Sequence, residues 1–285
     1  MRYIILGLGA QKAATTFIYK SLISDPYYIQ PLTKELHVHD TFYQGRRFKF
    51  KDNLIKKIVN DQTNKINYLY QLALMNEPDK YYKYFDLLIP NKPFYFSSDI
   101  SPTYSLLSEQ QLTDVKNKFR NKGIEVKVFF NMREPISRLK SVVEMSRRRR
   151  KSKIYNFYTE CAKDKMILNL AKQAQVIERS NYIQIYKNIT NVFDTNDYMI
   201  NLYETMFYKN NLEKISDFLI HGRNKIIKNE VINATSNMYR FKKLYSYQTI
   251  QSLREQFADQ YDFAESLFPG SKNLWIKKSD SLAQN

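Results

Sequence analysis

The sequence predicts an α/β fold built on a central parallel sheet with flanking helices. Two continuous apolar runs, Tyr3–Leu6 and Val126–Met132, read as strands buried on both faces, the pattern of parallel sheets. Each run is followed at once by a helix start. After the first comes a small-residue turn, GLGAQKAATT; after the second comes Arg133-Glu134-Pro135, with Pro135 well placed at a first helical position. Helix-patterned segments separate these strands from each other and from a further one at Tyr198–Tyr203, so the connections are crossovers. In such a sheet a ligand is expected at the carboxyl ends of the strands.

The chain has 285 residues and 43% hydrophobic content, enough for one large core, and is read as a single domain over 1–285. With 6 glycines and 8 prolines, nothing resembles a flexible linker, and no internal repeat is visible. No window approaches the length of apolar sequence that spans a bilayer. The first strand begins almost at once, so no signal peptide is expected. Cys161 is the only cysteine, which excludes an intrachain disulfide and fits a reducing, cytoplasmic setting. The formal net charge of +17 predicts an anionic partner: nucleic acid, a membrane surface, or an acidic small molecule or polymer. The 23 tyrosines and 18 phenylalanines could stack on bases or sugars, although most are expected in or near the core.

The stretch Ile4–Ser21 organises the rest. Gly7 and Gly9 let the chain turn sharply, and Ala10, Ala13 and Ala14 keep side chains out of the way. Thr15 and Thr16 are expected to cap a helix running through Phe17, Ile18 and Leu22. Such a turn aims backbone N–H groups at one spot, at the positive end of a helix dipole, and Lys12 adds a full charge. It reads either as a phosphate or sulfate cradle or as an ordinary tight turn with a solvated lysine. The spacing is not that of the Walker-A loop, whose Lys follows a second Gly and directly precedes Ser or Thr.

Ser24-Asp25-Pro26 stops the first helix. Gln30–Asp40 is only loosely strand-like and crowds Glu35, His37, His39 and Asp40 together. No metal site is expected there, because the lone H-x-H has no partner but the distant His221. Helices are predicted around Asn53–Val59 and Asp79–Leu88, and a strand with a polar end at Phe94–Ile100, running into Ser101-Pro102-Thr103-Tyr104. Arg133, at the end of the Val126–Met132 strand, and Ser141, two turns into the next helix, could grip one phosphate through paired guanidinium donors and a hydroxyl. They could equally be a helix-end salt bridge and a surface hydroxyl. The basic run Arg147–Lys153 is either a solvated face or an anion-holding one. Cys161 reads as a small buried or half-buried residue. Glu178–Phe193 places Tyr182, Ile185, Tyr186 and Ile189 at helical spacing, and Thr205–Ile220 reads as an amphipathic helix.

Three of these motifs resemble one family. The order G-x-x-K-x-x-T-T from Gly9 to Thr16 resembles the 5′-phosphosulfate loop of sulfotransferases that use 3′-phosphoadenosine 5′-phosphosulfate (PAPS). K-E-x-H-x-x-D from Lys34 to Asp40 resembles the KE-[IVL]-H-F-F-D segment of glycan sulfotransferases of the heparan sulfate type. R-x-P-x-x-R-x-x-S from Arg133 to Ser141 resembles the family's 3′-phosphate site. Weaker likenesses are Ser101-Pro102-Thr103-Tyr104 to [KA]-S-P-x-Y, the helix with R-x-x-Y before a strand ending in Tyr203-Glu204, and the tail Leu253–Trp275 to the family's closing helix. Two departures stand out: the family usually has Gly where this chain has Ala14, and heparan-type enzymes often have a Lys facing the sulfuryl group where this chain has Ile100. A broader bacterial branch fits better than close kinship with heparan sulfate enzymes, and the Lys-, Asn- and Tyr-rich composition agrees with a low-GC bacterial genome. Asn233–Lys243 lies where related enzymes fold a basic loop over the nucleotide.

The resemblance implies a P-loop-like sulfotransferase fold and an enzyme moving a sulfuryl group from PAPS to a hydroxyl or amine, with a carbohydrate or polysaccharide as the expected acceptor. Glu35 would be the general base. His37, neutral near pH 7, would be its neighbour and the competing base. Lys12 would stabilise charge on the bridging oxygen. The N–H groups of Ala13, Ala14, Thr15 and Thr16 would hold the 5′-phosphate and sulfuryl oxygens, and Arg133 with Ser141 the 3′-phosphate. No metal is needed. A glycan or other anionic acceptor is the expected partner; nucleic acid is not, and peripheral contact with a membrane stays open. Two other readings remain. A P-loop nucleotide kinase or NTPase should show Gly-Lys-Ser/Thr in the loop. A basic nucleic-acid-binding protein would account for the charge, but not for Lys12, Glu35, Arg133 and Ser141 falling in one family's order.

Overall fold

A computed structural model describes residues 1–45, 49–61, 63–149, 160–222 and 245–284. Four strands, β1 (Arg2–Gly9), β2 (Phe96–Asp99), β3 (Ile124–Met132) and β4 (Tyr198–Leu202), form one sheet in the order β2-β1-β3-β4, every pair parallel. Between β1 and β2 run α1 (Thr15–Leu22), α2 (Val38–Gln44), α3 (Phe50–Asn60), α4 (Lys65–Asn76) and α5 (Pro78–Leu88). A short 3-10 turn, Pro102–Leu106, and α6 (Glu109–Arg120) lead to β3. Then come α7 (Pro135–Arg149), α8 (Glu160–Ala171), α9 (Ala174–Ser180) and α10 (Tyr182–Thr190) before β4, and α11 (Lys209–Ile220) after it. The two-residue strands β5 (Tyr245–Ser246) and β6 (Ala283–Gln284) pair around α12 (Tyr247–Gln256), α13 (Ala258–Leu267) and α14 (Ser271–Asp280).

The period-two alternation of a strand divides β1 between two cores. Ile4, Leu6 and Leu8 join Val126, Val128 and Phe130 of β3 in the larger core, closed by α5, α7 and Trp275 of α14. Tyr3 and Ile5 face the other way, into a smaller core with Phe17, Leu22 and the α11 residues Ile215 and Leu219. Every residue of β1 is buried: Tyr3–Leu6 as an unbroken apolar run requires, and Arg2 because Asp86, Ile89 O and Lys122 O accept from its guanidinium.

Several elements differ from expectation. Phe94 takes a positive φ of 71°, and β2 runs only from Phe96 to Asp99. Gln30–His37 forms no strand; it is a loop held by distant side chains, leading into α2. α4 stands where no helix was predicted, because its exposed Ile66, Leu69 and Tyr70 blur the apolar stripe made by Leu74 and Met75. Glu178–Phe193 is two helices, broken at Asn181, whose side chain accepts from Gln184 N at 3.1 Å and starts α10. The Thr205–Ile220 helix starts only at Lys209, and the Leu253–Trp275 tail spans parts of three helices. Among the described residues, no helix is long and apolar enough to cross a membrane. The side chains of the basic run Arg147–Lys153, that of Cys161, and Asn233–Lys243 lie outside the described residues.

Candidate active site

The loop between β1 and α1 is clamped by β3. Ala10 N donates to Asn131 O at 2.9 Å, and the buried Asn131 side chain donates to Ala13 O at 3.0 Å. Gly7 is required where β1 passes β2, since a Cβ there would stand 2.6 Å from Ile100 Cγ2. Lys12 and Ala14 both adopt left-handed backbone, with φ of 70° and 60°. Ala14, not a threonine, is the residue before the helix, and no side chain caps it. Thr15 and Thr16 are instead the first two helical residues, which corrects the expected cap. Ala13 N donates to Ala10 O at 3.1 Å, so its N–H is engaged within the turn. The N–H groups without an intrahelical partner are those at the helix start, Ala14 to Phe17, one residue later than expected. They sit at the positive end of α1, beside Lys12.

Arg133 and Ser141 come together as expected. Arg133 leaves the end of β3; its Nη1 donates to Lys12 O and lies 3.4 Å from Ser141 Oγ. The guanidinium stands 4.4 Å from the Tyr203 ring centre, and the Tyr182 hydroxyl donates to Arg133 O at 2.6 Å. Arg133 Nε has no partner among the described residues. Glu134 caps α7 through its own carboxylate, which accepts from Ile136 N at 2.9 Å, Ser137 N at 2.6 Å and the Tyr261 hydroxyl. Arg138, the second arginine of the same motif, is buried away from this site against Ser180.

Glu35 and His37 approach from the other side. Their loop hangs on buried Asp99 at the end of β2. One Asp99 oxygen accepts from Leu36 N at 3.2 Å and Ser101 Oγ at 2.7 Å; the other accepts from the hydroxyls of Tyr104 at 2.6 Å and Tyr81 at 3.0 Å. Tyr104 and Ser101 in turn accept from Val38 N and His37 N, at 3.1 and 3.3 Å. Gln71 of α4 donates to Glu35 O at 3.0 Å. The Glu35 carboxylate meets Lys34 Nζ at 2.7 Å and His37 Nε2 at 3.3 Å, while His37 Nδ1 meets buried Asp40 at 2.7 Å. Burial opposes the charge on Glu35, but His37 and Lys34 outweigh it and bring its pKa down to about 2. Burial also opposes the charge on His37, but Asp40 and Glu35 outweigh it and push its pKa up to about 9. His37 is therefore an imidazolium near pH 7, stacked on Phe50 at 3.7 Å, and not the neutral competing base expected. His39 points the opposite way, into a pocket of tyrosines including Tyr81 and Tyr104, where burial lowers its pKa to about 3.

Both sides line one cleft of about 1690 Å³. Its outer wall comes from α3 and α4, with Lys56, Lys57, Asn67 and Tyr68. Arg179 reaches across its floor to Gln11 and Thr103, at 3.3 and 3.4 Å. Lys34 was expected only as a positive neighbour keeping Glu35 ionised, and Tyr203, Arg179 and the Phe17 N–H were not singled out from sequence. Lys34 stands in the K-E pair and Arg179 in the R-x-x-Y pattern, so a signal for both was present. Among the described residues, no cluster of His, Cys, Asp or Glu is arranged to hold a metal ion.

No protein-family profile matches the chain, and no curated protein matches it in sequence. Among solved structures, a sulfotransferase from Alicyclobacillus acidocaldarius aligns over 97% of this chain and 99% of its own, with a TM-score of 0.60 at 15% identity. Sulfotransferase domains from the curacin biosynthetic pathway and from the Synechococcus PCC 7002 olefin synthase align over 77% and 76% of this chain and 74% and 72% of theirs, both at 15% identity, with TM-scores of 0.44 and 0.45. The first alignment, with the parallel order of the sheet, shows that this chain has the P-loop-like sulfotransferase fold.

Proposed function

We propose that the chain is a PAPS-dependent sulfotransferase, a single domain acting in the cytoplasm on a hydroxyl or amine of a carbohydrate or other anionic acceptor. The observation that supports this reading is the meeting, on one cleft, of two groups of donors suited to anions with the Glu35 carboxylate, which its neighbours hold ionised. The start of α1 with Lys12 forms one cluster, and Arg133 with Ser141 the other. Two clusters suit a nucleotide with phosphates at two positions. Their donors are N–H groups, hydroxyls, an ammonium and a guanidinium, all suited to oxyanions.

Bound there, PAPS supplies a sulfuryl group on a phosphate leaving group. The acceptor oxygen–sulfur bond forms as the sulfur–oxygen bond to the 5′-phosphate breaks, and that electron pair stays on the phosphate oxygen. Lys12 neutralises the charge collecting on that oxygen. Glu35 takes the acceptor proton; a carboxylate within about 3 Å of a hydroxyl can do so as the new bond forms. His37, protonated and fixed by Asp40, holds Glu35 in place. Arg133 and Ser141 hold the 3′-phosphate.

Calorimetry with adenosine 3′,5′-bisphosphate (PAP) and with ATP tests the reading. PAP is expected to bind at least about tenfold tighter, since the second cluster is worth a charge-assisted contact. Equal affinity, or tighter binding of ATP, removes the proposal in favour of an NTPase. Transfer of labelled sulfate from PAPS to charged and neutral polysaccharides then sorts the acceptor.

A further inference from the structure

We infer that Lys34 is a second catalytic cation of this cleft, bonding the transferred sulfuryl group while it holds the carboxylate that takes the acceptor proton; this rests on the sulfotransferase reading above.

Lys34 Nζ donates to Thr15 Oγ1 at 3.1 Å and to Glu35 Oε1 at 2.7 Å. Thr15 opens α1 and belongs to the anion cradle, whereas Glu35 belongs to the acceptor side. A group passing from donor to acceptor must therefore cross the reach of this ammonium. An ammonium has three N–H donors, and two are used by these partners, leaving a third for the cleft that Lys34 lines. Because the Thr15 hydroxyl accepts from Lys34, its own proton turns away and can be given to an oxyanion at the helix start.

The residue is held for this task. Its side chain is only 17% exposed. Its carbonyl accepts from Ile100 N at 2.9 Å, tying the backbone to the end of β2. Ile100 itself is 1% exposed and packed against Gly7, so that strand end brings no charge of its own to this corner of the cleft. A fixed cation in a partly dry site stabilises charge without the cost of reorganising at the moment of reaction.

The same contact tunes the base. Lys34 is one of the two groups that keep Glu35 acidic. As the sulfuryl oxygens draw the ammonium's field, Glu35 loses part of that attraction and gains proton affinity when the proton moves. In the balanced step, the acceptor O–H proton goes to Glu35, the oxygen–sulfur bond forms, the sulfur–phosphate-oxygen bond breaks with its pair on the phosphate, and Lys34 keeps all its protons.

Lys34→Met keeps the stem and removes the charge. With the full-length chain and no acceptor present, PAP affinity is expected to stay within about twofold, while PAPS affinity falls on the order of tenfold, the value of one charge-assisted hydrogen bond. Lys34→Arg should recover part of the PAPS affinity, and Glu35→Gln should leave it unchanged. Equal loss for PAP and PAPS, no loss for either, or the same PAPS loss in Glu35→Gln overturns the inference. If Lys34→Met does not fold, Lys34→Gln carries the same comparison. A wild-type chain that binds neither ligand overturns the sulfotransferase reading as well; a wild-type chain that binds both, with Lys34→Met indifferent, overturns only the role of Lys34.

Discussion

The Lys12 and Arg133 side of the cleft stands on a loop and a helix start fixed by the sheet, whereas the side holding Glu35 is a loop held by side chains reaching across the sequence. The loop after β1 gains its shape from its own turn and from Asn131 on the neighbouring strand. The Glu35–His37 segment has no strand partner; Asp99, Ser101, Tyr104 and Gln71 hold its N–H and C=O groups one by one. On the proposed reading, the sheet-fixed side, with Lys12, Arg133 and Ser141, would bind a donor that is the same in every turnover. A segment hung on side chains can be re-aimed by substitution without disturbing the sheet, which would suit the side that the proposal gives to the acceptor.

The largest expected effect breaks the acceptor side alone. Glu35→Gln keeps size and removes basicity, so turnover should fall roughly a hundredfold or more, the usual value of a general base. PAP affinity, measured by calorimetry, should barely change. A variant that keeps its turnover would show that the proton leaves by another route.

Arg133→Ala breaks the other side. It should weaken PAP by about 2–3 kcal/mol through loss of a charge-assisted phosphate contact. An analogue lacking the 3′-phosphate should lose far less. Equal losses for both ligands would mean that Arg133 acts only by holding Lys12 O, to which it also donates.

The two sides also differ in how far they could be read from sequence. Gly9–Thr16 and Arg133–Ser141 are contiguous motifs, and their residues meet as their spacing predicts. The misread cap at Thr15 and Thr16 arose because the letters left open whether Ala14 takes left-handed backbone; the family's usual Gly at that position was the one signal for it. Glu35 was reached only by resemblance, since the residues that aim it lie far along the chain: Asp99 is 63 positions from Leu36. The charge on His37 was missed for a similar reason. It depends on the Asp40 carboxylate being buried against Nδ1, and sequence distance alone does not decide that.

Asp99→Asn tests whether those distant bonds matter as much as the comparison requires. Leu36 N and the hydroxyls of Ser101, Tyr81 and Tyr104 all donate to Asp99, so an amide NH2 among them leaves buried donors facing each other. The cost should be about 1–3 kcal/mol of stability by denaturant melting. Turnover should fall with it while PAP affinity persists. If PAP affinity collapses equally, the two sides are not separable.

The pH dependence of stability follows from the pair on the acceptor side. The folded pKa of His37 is raised to about 9, so its stabilisation is fully present below the ordinary value of 6.5 and is lost as pH rises through 9. The folded pKa of Glu35 is lowered to about 2, so its stabilisation is present above 4.5 and is lost as pH falls towards 2. Wild type minus His37→Gln, followed by urea midpoint against pH, should therefore shrink between pH 6.5 and 9. A difference that grows over that range would place His37 as neutral in the folded protein.

The smallest effect concerns the donor side, at Ala14. Its φ of 60° is left-handed, a conformation that costs a residue with a Cβ roughly 1–2 kcal/mol. Glycine removes that cost. Against it stands the larger freedom glycine restores to the unfolded chain, roughly 0.5–1 kcal/mol. The Ala14 methyl also packs partly against the smaller core, and losing a half-buried methyl costs about 0.4 kcal/mol. The three terms leave Ala14→Gly more stable by a few tenths of a kcal/mol, a rise in Tm of about 1 °C for a chain of this size. The sign carries the meaning. A rise says that the loop's shape is imposed on Ala14 by the clamp from β3 and by the start of α1. A fall of more than about 1 kcal/mol would say that the Ala14 methyl contributes more to packing than the backbone strain costs, and that side chains, too, shape the donor side.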